Sequence, residues 1–209
     1  MKKIVCYGDS NTFGYQPQGG GRYNKKIRWP GRLKKMLGDA YQVKEEGLCG
    51  RTTAFDDFIE PGRNGLDGIE KAMSGEPAVD LLILMLGSND CKSYLKLSVQ
   101  EITQGLMQVL RKARACAGGE FQTLIIAPAA MTPVVARSSF GSEFDLHSVE
   151  MSKELAGEYE ALAKREGAEF LDGSLVTKVG ETDGLHLEEE GHRMLAEAVY
   201  QKIRKMEEI

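Results

Sequence analysis

The sequence predicts an α/β domain built on a parallel sheet, three layers deep, with helices on both faces. Three observations carry that expectation. Short aliphatic and β-branched runs alternate with longer stretches of helical periodicity, the pattern of successive βαβ units. Two of those runs, DLLILML at 80–86 and QTLIIA at 122–127, are almost unbroken apolar segments, as strands covered on both sides must be. The 209 residues suffice for one domain of this kind, and neither an internal repeat nor a linker divides residues 1–209.

The elements follow in order. Strands are expected at 3–7 (KIVCY), 41–45 (YQVKE), 80–86, 122–127 and 168–171 (AEFL). The first helix, 30–37, opens on Pro30, whose fixed φ suits a first turn, and stops before Gly38. A second, 64–74, is diluted by Gly65 and Gly68. A third, 98–117, starts at a capping box of Ser98 and Glu101 and carries Ile102, Leu106, Val109, Leu110 and Ala113 on one face. The fourth, 148–166, is expected to be capped by Ser148 or Ser152, and the fifth, 188–206, to carry Met194, Leu195, Ala198, Val199 and Ile203 on one face. Residues 16–28 and 129–146 stay irregular and are long for loops, which marks both as candidate binding elements or lids.

Composition narrows the function classes. A net charge of −4, with both signs interspersed, offers no basic field for nucleic acid. No apolar run approaches the ~20 residues that cross a bilayer, so membrane insertion is not expected. The opening MKKIVCYGDS reads as a strand entering a turn and not as a secretory leader, and the expected compartment is the cytoplasm. Cys6, Cys49, Cys91 and Cys116 lie far apart without a C-x-x-C, which argues against a zinc site or a redox motif and for four reduced thiols. His186 and His192 lack the spacing by which one helix face presents two histidines to a metal. No metal and no cofactor is expected.

In open parallel sheets, ligands bind beyond the carboxyl ends of the strands. The residues there form a chemically pointed set. Ser10 sits at the first strand-to-helix turn, Gly50 follows the second strand, Asn89 the third, and Asp183 and His186 lie in the TDGLH segment before the last helix. Singly, each has a plainer role: Ser10 a helix cap, Gly50 a positive-φ turn, Asn89 a strand-end cap, Asp183 and His186 a turn. Together they supply a hydroxyl nucleophile, a base, and a carboxylate three residues away that can orient the imidazole. The N–H of Ser10, the N–H of Gly50 and the amide of Asn89 add three donors for a tetrahedral oxyanion.

These blocks, GDSNTFG, EEGLCGRTT, LMLGSND and DGLH, resemble in order and spacing the four blocks of the SGNH, or GDSL-type, esterases and lipases. They span nearly the whole chain. GDS alone is a weak signal; followed by GSND and D-x-x-H it is a strong one. The resemblance implies a flavodoxin-like sandwich with strand order 2-1-3-4-5. It implies Ser10 as nucleophile, His186 as base, Asp183 as orienting carboxylate, and Ser10, Gly50 and Asn89 as the oxyanion hole. The strings EEGLCGRTT, RWPGRL and DLLILMLGSND are most similar to the arylesterase and acyltransferase branch, which implies short-chain acyl esters, a small-molecule ester partner and a homo-oligomer. Asn11 stands where the name-giving leucine would be, so Asn11 is expected to change the pocket lining.

The pocket walls are expected in 11–15, 48–51, 90–95 and 129–146, with Asn11, Phe13, Tyr15, Leu48, Cys49, Tyr94 and Val134 contacting substrate and Cys91 a neighbouring thiol. Acetylated sugars, thioesters and lysophospholipids remain alternative substrates. An FMN-binding protein of the same topology is the alternative from another class, with DSNTFGY as its phosphate loop; it leaves GSND and DGLH without a task. A Walker loop and a G-x-S-x-G elbow are both absent.

Overall fold

A computed structural model describes residues 1–75 and 77–207. Five parallel strands, β1 (Lys2–Gly8), β2 (Tyr41–Gly47), β3 (Leu81–Met85), β4 (Gln122–Ala127) and β5 (Glu169–Asp172), form one sheet in the order β2-β1-β3-β4-β5. The helices are α1 (Ser10–Phe13), α2 (Trp29–Leu37), α3 (Gly65–Met73), α4 (Val99–Cys116), α5 (Leu146–Glu166), α6 (Gly173–Val176) and α7 (Glu189–Glu207).

The pleat explains the three layers. Successive side chains of a strand point to opposite faces. Val5 and Tyr7 of β1, Leu82 and Leu84 of β3, and Ile125 and Ala127 of β4 enter one core with the inner faces of α3, α4 and α5. Their neighbours Ile4, Cys6, Leu81, Ile83, Met85, Leu124 and Ile126 enter a second core with α2 and α7. A strand feeding two cores has no solvent face, hence the unbroken apolar runs.

The expected α/β/α architecture and strand order hold, with three local differences. The helix expected to be capped by Ser148 or Ser152 starts two residues earlier, because Asp145 accepts the Ser148 N–H at 2.9 Å while Ser148 Oγ accepts the Asp145 N–H at 3.1 Å. Ser152 instead lies inside α5, and its hydroxyl accepts the Met131 N–H. The four-residue helices α1 and α6 are too short to leave a periodic signal.

The order places β1 between β2 and β3, so the connections leaving β1 and β3 run to opposite sides. The crevice at such a point is the expected ligand position. Gly8 stands at its lip, paired with Met85 across it and with Gly47 on the β2 side. A Cβ on Gly47 would lie 2.1 Å from the Phe13 backbone nitrogen, and one on Gly8 2.1 Å from Thr12 Oγ1. Glycine at both positions lets α1 lie across the strand ends.

Candidate active site

Ser10 is the first residue of α1, and Asp9 caps it by accepting the Asn11 N–H on Oδ1 at 2.9 Å. The Ser10 N–H belongs to the first turn and has no partner within the helix. Gly50 follows β2 in a turn with φ +78°, a conformation that favours glycine. Asn89 begins a single 3₁₀ turn after β3, and its Nδ2 donates to Arg51 O at 3.1 Å, leaving a second donor on the amide. These three positions follow the ends of adjacent strands.

The loop before α7 brings the remaining pair, with His186 176 positions along the chain from Ser10. His186 Nε2 lies 2.9 Å from Ser10 Oγ and His186 Nδ1 lies 2.7 Å from Asp183 Oδ2. Asp183 Oδ1 accepts the N–H groups of Leu185 and His186, both at 2.9 Å, so the DGLH turn holds its own carboxylate. Both residues are buried, at 3% exposure. Burial pushes the Asp183 carboxyl up, but the hydrogen bond and charge of His186, with the two N–H groups, outweigh it and hold it below the ordinary range.

A cavity of about 190 Å³ opens on this line, with Ser10, Gly50, Asn89 and His186 on its walls. The volume suits a small acyl group better than a long chain. Cys49 is also on the wall, and burial raises its thiol to about 11, which keeps it protonated at neutral pH.

Tyr15, another expected wall residue, lines the cavity too; the remaining ones do not, for identifiable reasons. Asn11 turns away: its Nδ2 donates to Leu185 O at 3.2 Å and its Oδ1 accepts the Leu187 N–H at 2.8 Å. It clamps the two residues flanking His186, so its departure from leucine concerns positioning of that loop and not the pocket. Phe13 is covered by the Arg22 guanidinium, 4.5 Å from its ring centroid. Leu48 is held in the β2 turn, where its N–H donates to Gly8 O. The Tyr94 hydroxyl donates to Asp57 Oδ2 at 2.9 Å, and its ring packs on Phe58. Val134 is exposed, and Cys91 is a buried thiol over Gly87 O. Of the two irregular segments, 129–146 contributes Phe140, Glu143 and Phe144 to the cavity, whereas no residue of 16–28 lines it.

Several contacts of the site left no sequence signal. His186 packs against Tyr15, with ring centroids 4.4 Å apart, and against Phe140 at 5.1 Å, and those two rings meet edge-on at 6.2 Å. Asp90, fully buried, accepts Thr53 N–H on both oxygens and Thr53 Oγ1–H at 2.5 Å. Burial raises its carboxyl to about 7, and that of Asp9 to about 6, despite these donors. Arg51 Nη1 donates to Gly8 O at 2.8 Å and to Glu46 O, tying the ends of β1 and β2. Lys92 meets Asp57, Glu60 and Glu143 at 2.8, 2.8 and 2.9 Å. Their identities are ordinary surface residues; only the fold assembles them. His192, the other buried histidine, accepts the Trp29 N–H at 3.3 Å, and burial holds it down at about 3.

A larger groove of about 350 Å³ lies at the opposite edge of the sheet, among Lys2, Tyr41, Asp80, Gln122 and Glu207. Among the described residues that line it there is no serine, cysteine or histidine. No group of three or more potential metal-ligating side chains occurs among the described residues, and none of the described helices is long and apolar enough to cross a membrane.

The fold and this serine–histidine–aspartate line define a class of hydrolase-like α/β sandwiches. Residues 6–194 match the GDSL-like lipase/acylhydrolase family, and the chain belongs to it. An aryl esterase from M. smegmatis is 31% identical, with a TM-score of 0.90 and coverage of 98% of this chain and 99% of that one. A carbohydrate acetylesterase from Sinorhizobium meliloti is 34% identical, with a TM-score of 0.92 and coverage of 99% and 100%. An acetylxylan esterase from Xylanibacter ruminicola is 27% identical over 222 residues; the match takes in 97% of this chain but spans only 43% of that protein.

Proposed function

We propose that this protein is a serine esterase that removes short acyl groups, acetyl foremost, from small-molecule esters through an acyl-enzyme. The observation that carries the reading is the continuous line Ser10 Oγ, His186 Nε2, His186 Nδ1, Asp183 Oδ2, opening on a small cavity. Ser10 attacks the ester carbonyl while His186 takes its proton at Nε2. Asp183 fixes the tautomer that leaves Nε2 unprotonated and stabilises the imidazolium that forms. The oxyanion is received by the N–H groups of Ser10 and Gly50 and the amide of Asn89. The imidazolium returns the proton to the departing alcohol. Water, deprotonated by the same nitrogen, then attacks the acyl-Ser10 carbonyl, and collapse frees the acid and the Ser10 hydroxyl.

A carbohydrate ester is the preferred alcohol side. Glu60 and Glu143 on the cavity wall are acceptors for sugar hydroxyls, and two of the three relatives above are named for carbohydrate or xylan acetyl esters. All four cysteines are free thiols, which supports a reducing compartment, the cytoplasm.

The test is a panel of p-nitrophenyl esters from acetate to octanoate, run beside an acetylated xylo-oligosaccharide, with wild type and Ser10→Ala. Turnover should be greatest for acetate, fall with chain length, extend to the sugar ester, and drop by about 10⁶-fold in the variant. Activity that rises steadily with chain length, or survives in Ser10→Ala, would refute the reading.

A further inference from the structure

Lys92 is the most enclosed cation of the site, its side chain only 1% exposed. Its ammonium meets three carboxylates from two separate segments: Asp57 and Glu60 of the stretch after β2, and Glu143 of the stretch after β4. Three donors on one ammonium meet three acceptors, so the group is saturated. Each carboxylate leads back to the reacting centre. Glu60 Oε2 lies against Gly50, only 2.8 Å from where a Cβ on that glycine would stand. Glu143 O accepts the Ser93 N–H at 2.8 Å, and the Glu143 N–H donates to O of Phe140, which packs on His186. Asp57 Oδ1 accepts the N–H groups of Ile59 and Glu60, which shapes the turn that delivers Glu60. Lys92 itself closes the turn begun by Asn89, its N–H donating to Asn89 O at 3.2 Å.

We infer that Lys92 is a positioning residue for transition-state stabilisation, cross-tying the Gly50 and Asn89 oxyanion donors to each other and to the Phe140 wall of His186. The inference rests on the esterase reading above. Thr53 and Asp90 make a separate link between the same two segments, so loss of Lys92 displaces the donors without detaching the strands. Donors set an ångström out of place still bind the planar ester, but they meet the tetrahedral oxyanion poorly. The signature is therefore a fall in kcat with KM little changed.

The experiment measures kcat, KM and the pre-steady-state burst rate on p-nitrophenyl acetate for wild type, Lys92→Met, Glu60→Ala and Glu60→Gln, with Ser10→Ala as the control. Lys92→Met should lower kcat and the burst rate by about tenfold or more while KM moves by less than about threefold. Glu60→Ala, at a side chain 41% exposed, should fold normally and show the same pattern, with Glu60→Gln, which keeps an acceptor oxygen, between it and wild type. If Lys92→Met does not fold, the Glu60 pair decides. Folded variants with kcat within about twofold of wild type, or with losses confined to KM, overturn the role given to Lys92 and leave the esterase reading standing. A wild type without Ser10-dependent turnover overturns both.

Discussion

The two edges of the sheet handle the same kinds of charge in opposite ways. At the carboxyl edge, Asp183, His186, Asp90, Asp57 and Lys92 are buried, and each meets its partners in a fixed direction. At the amino edge, Lys2 Nζ meets Glu207 at 2.8 Å with the Lys2 side chain 56% exposed, and Glu207 also accepts the Tyr41 hydroxyl. Where burial does occur at that edge, it takes a cation: Lys3 Nζ donates to the carbonyls of Ser74, Gly75 and Pro77, just past the end of α3. The polarity of a parallel sheet accounts for the contrast. Helices begin at the carboxyl edge and end at the amino edge, so one edge presents N–H groups and the other carbonyls. Anions and a developing oxyanion belong at the first, capping lysines at the second. Buried charges at the first edge are costly unless paired, which makes their partners indispensable; solvated pairs at the second are screened.

Substitutions at the two edges should therefore differ by orders of magnitude. The largest effect in this series is expected for Asp183→Asn, which preserves shape but favours the wrong imidazole tautomer. Ester turnover should fall by about 10⁴-fold with little change in thermal midpoint. A loss below tenfold would mean that Asp183 does not orient His186. Asn89→Ala removes the donor proposed for the oxyanion and should cost about 10²–10³ in kcat, read from steady-state kinetics on p-nitrophenyl acetate. An effect on KM alone would move Asn89 from stabilising the transition state to binding the substrate.

A third probe is pH. The folded carboxyl of Asp90 sits at about 7, above its ordinary value of 3.8. Between those values the folded chain holds a proton that the unfolded chain has released, so this group's contribution to stability is present at low pH and is lost as pH rises through about 7. Asp9, raised to about 6, acts with the same sign. Asp57 and Asp183, which are shifted down, are ionised in both states above pH 5 and do not oppose it, whereas His192, held down at about 3, opposes it below 6.5 and does so equally in wild type and variant. Asp90→Asn never ionises and keeps a carbonyl for the Thr53 N–H. Denaturant midpoints between pH 5 and pH 7.5 should decline less steeply in the variant than in wild type; equal slopes would show that Asp90 ionises freely in the folded chain.

The smallest effect is expected at the other edge. Lys2→Ala breaks an exposed pair and should cost about 1 kcal/mol or less, without altering kcat. A change in turnover there would show that the two edges are coupled through the strands.

Asn11 marks the limit of what is legible in the chain. Its identity and its place after Ser10 are evident, and a pocket role follows naturally from that place, yet its amide is spent on Leu185 and Leu187, 174 and 176 positions away. Phe13 and Tyr94 likewise follow strand ends but are engaged by Arg22 and Asp57, and Leu48 is outside the cavity lining as well. Tyr15, named among the aromatic walls, does reach the cavity, whereas Phe140 could be placed only as a member of a long irregular segment.

The sequence by itself determined the layers, because a strand buried on both faces must be apolar throughout and a helix on a sheet must carry one apolar stripe. It also determined which residue types stand at the strand ends, since turns and caps there are read over a few neighbouring positions. The tertiary structure alone decided which of those side chains face the cavity, and it alone assembled Lys92 with Asp57, Glu60 and Glu143 and set Tyr15 and Phe140 against His186. Local order follows from backbone geometry and hydrophobic period, which nearby residues encode. The direction of a side chain at a strand end depends on partners that the packing of distant segments brings to it.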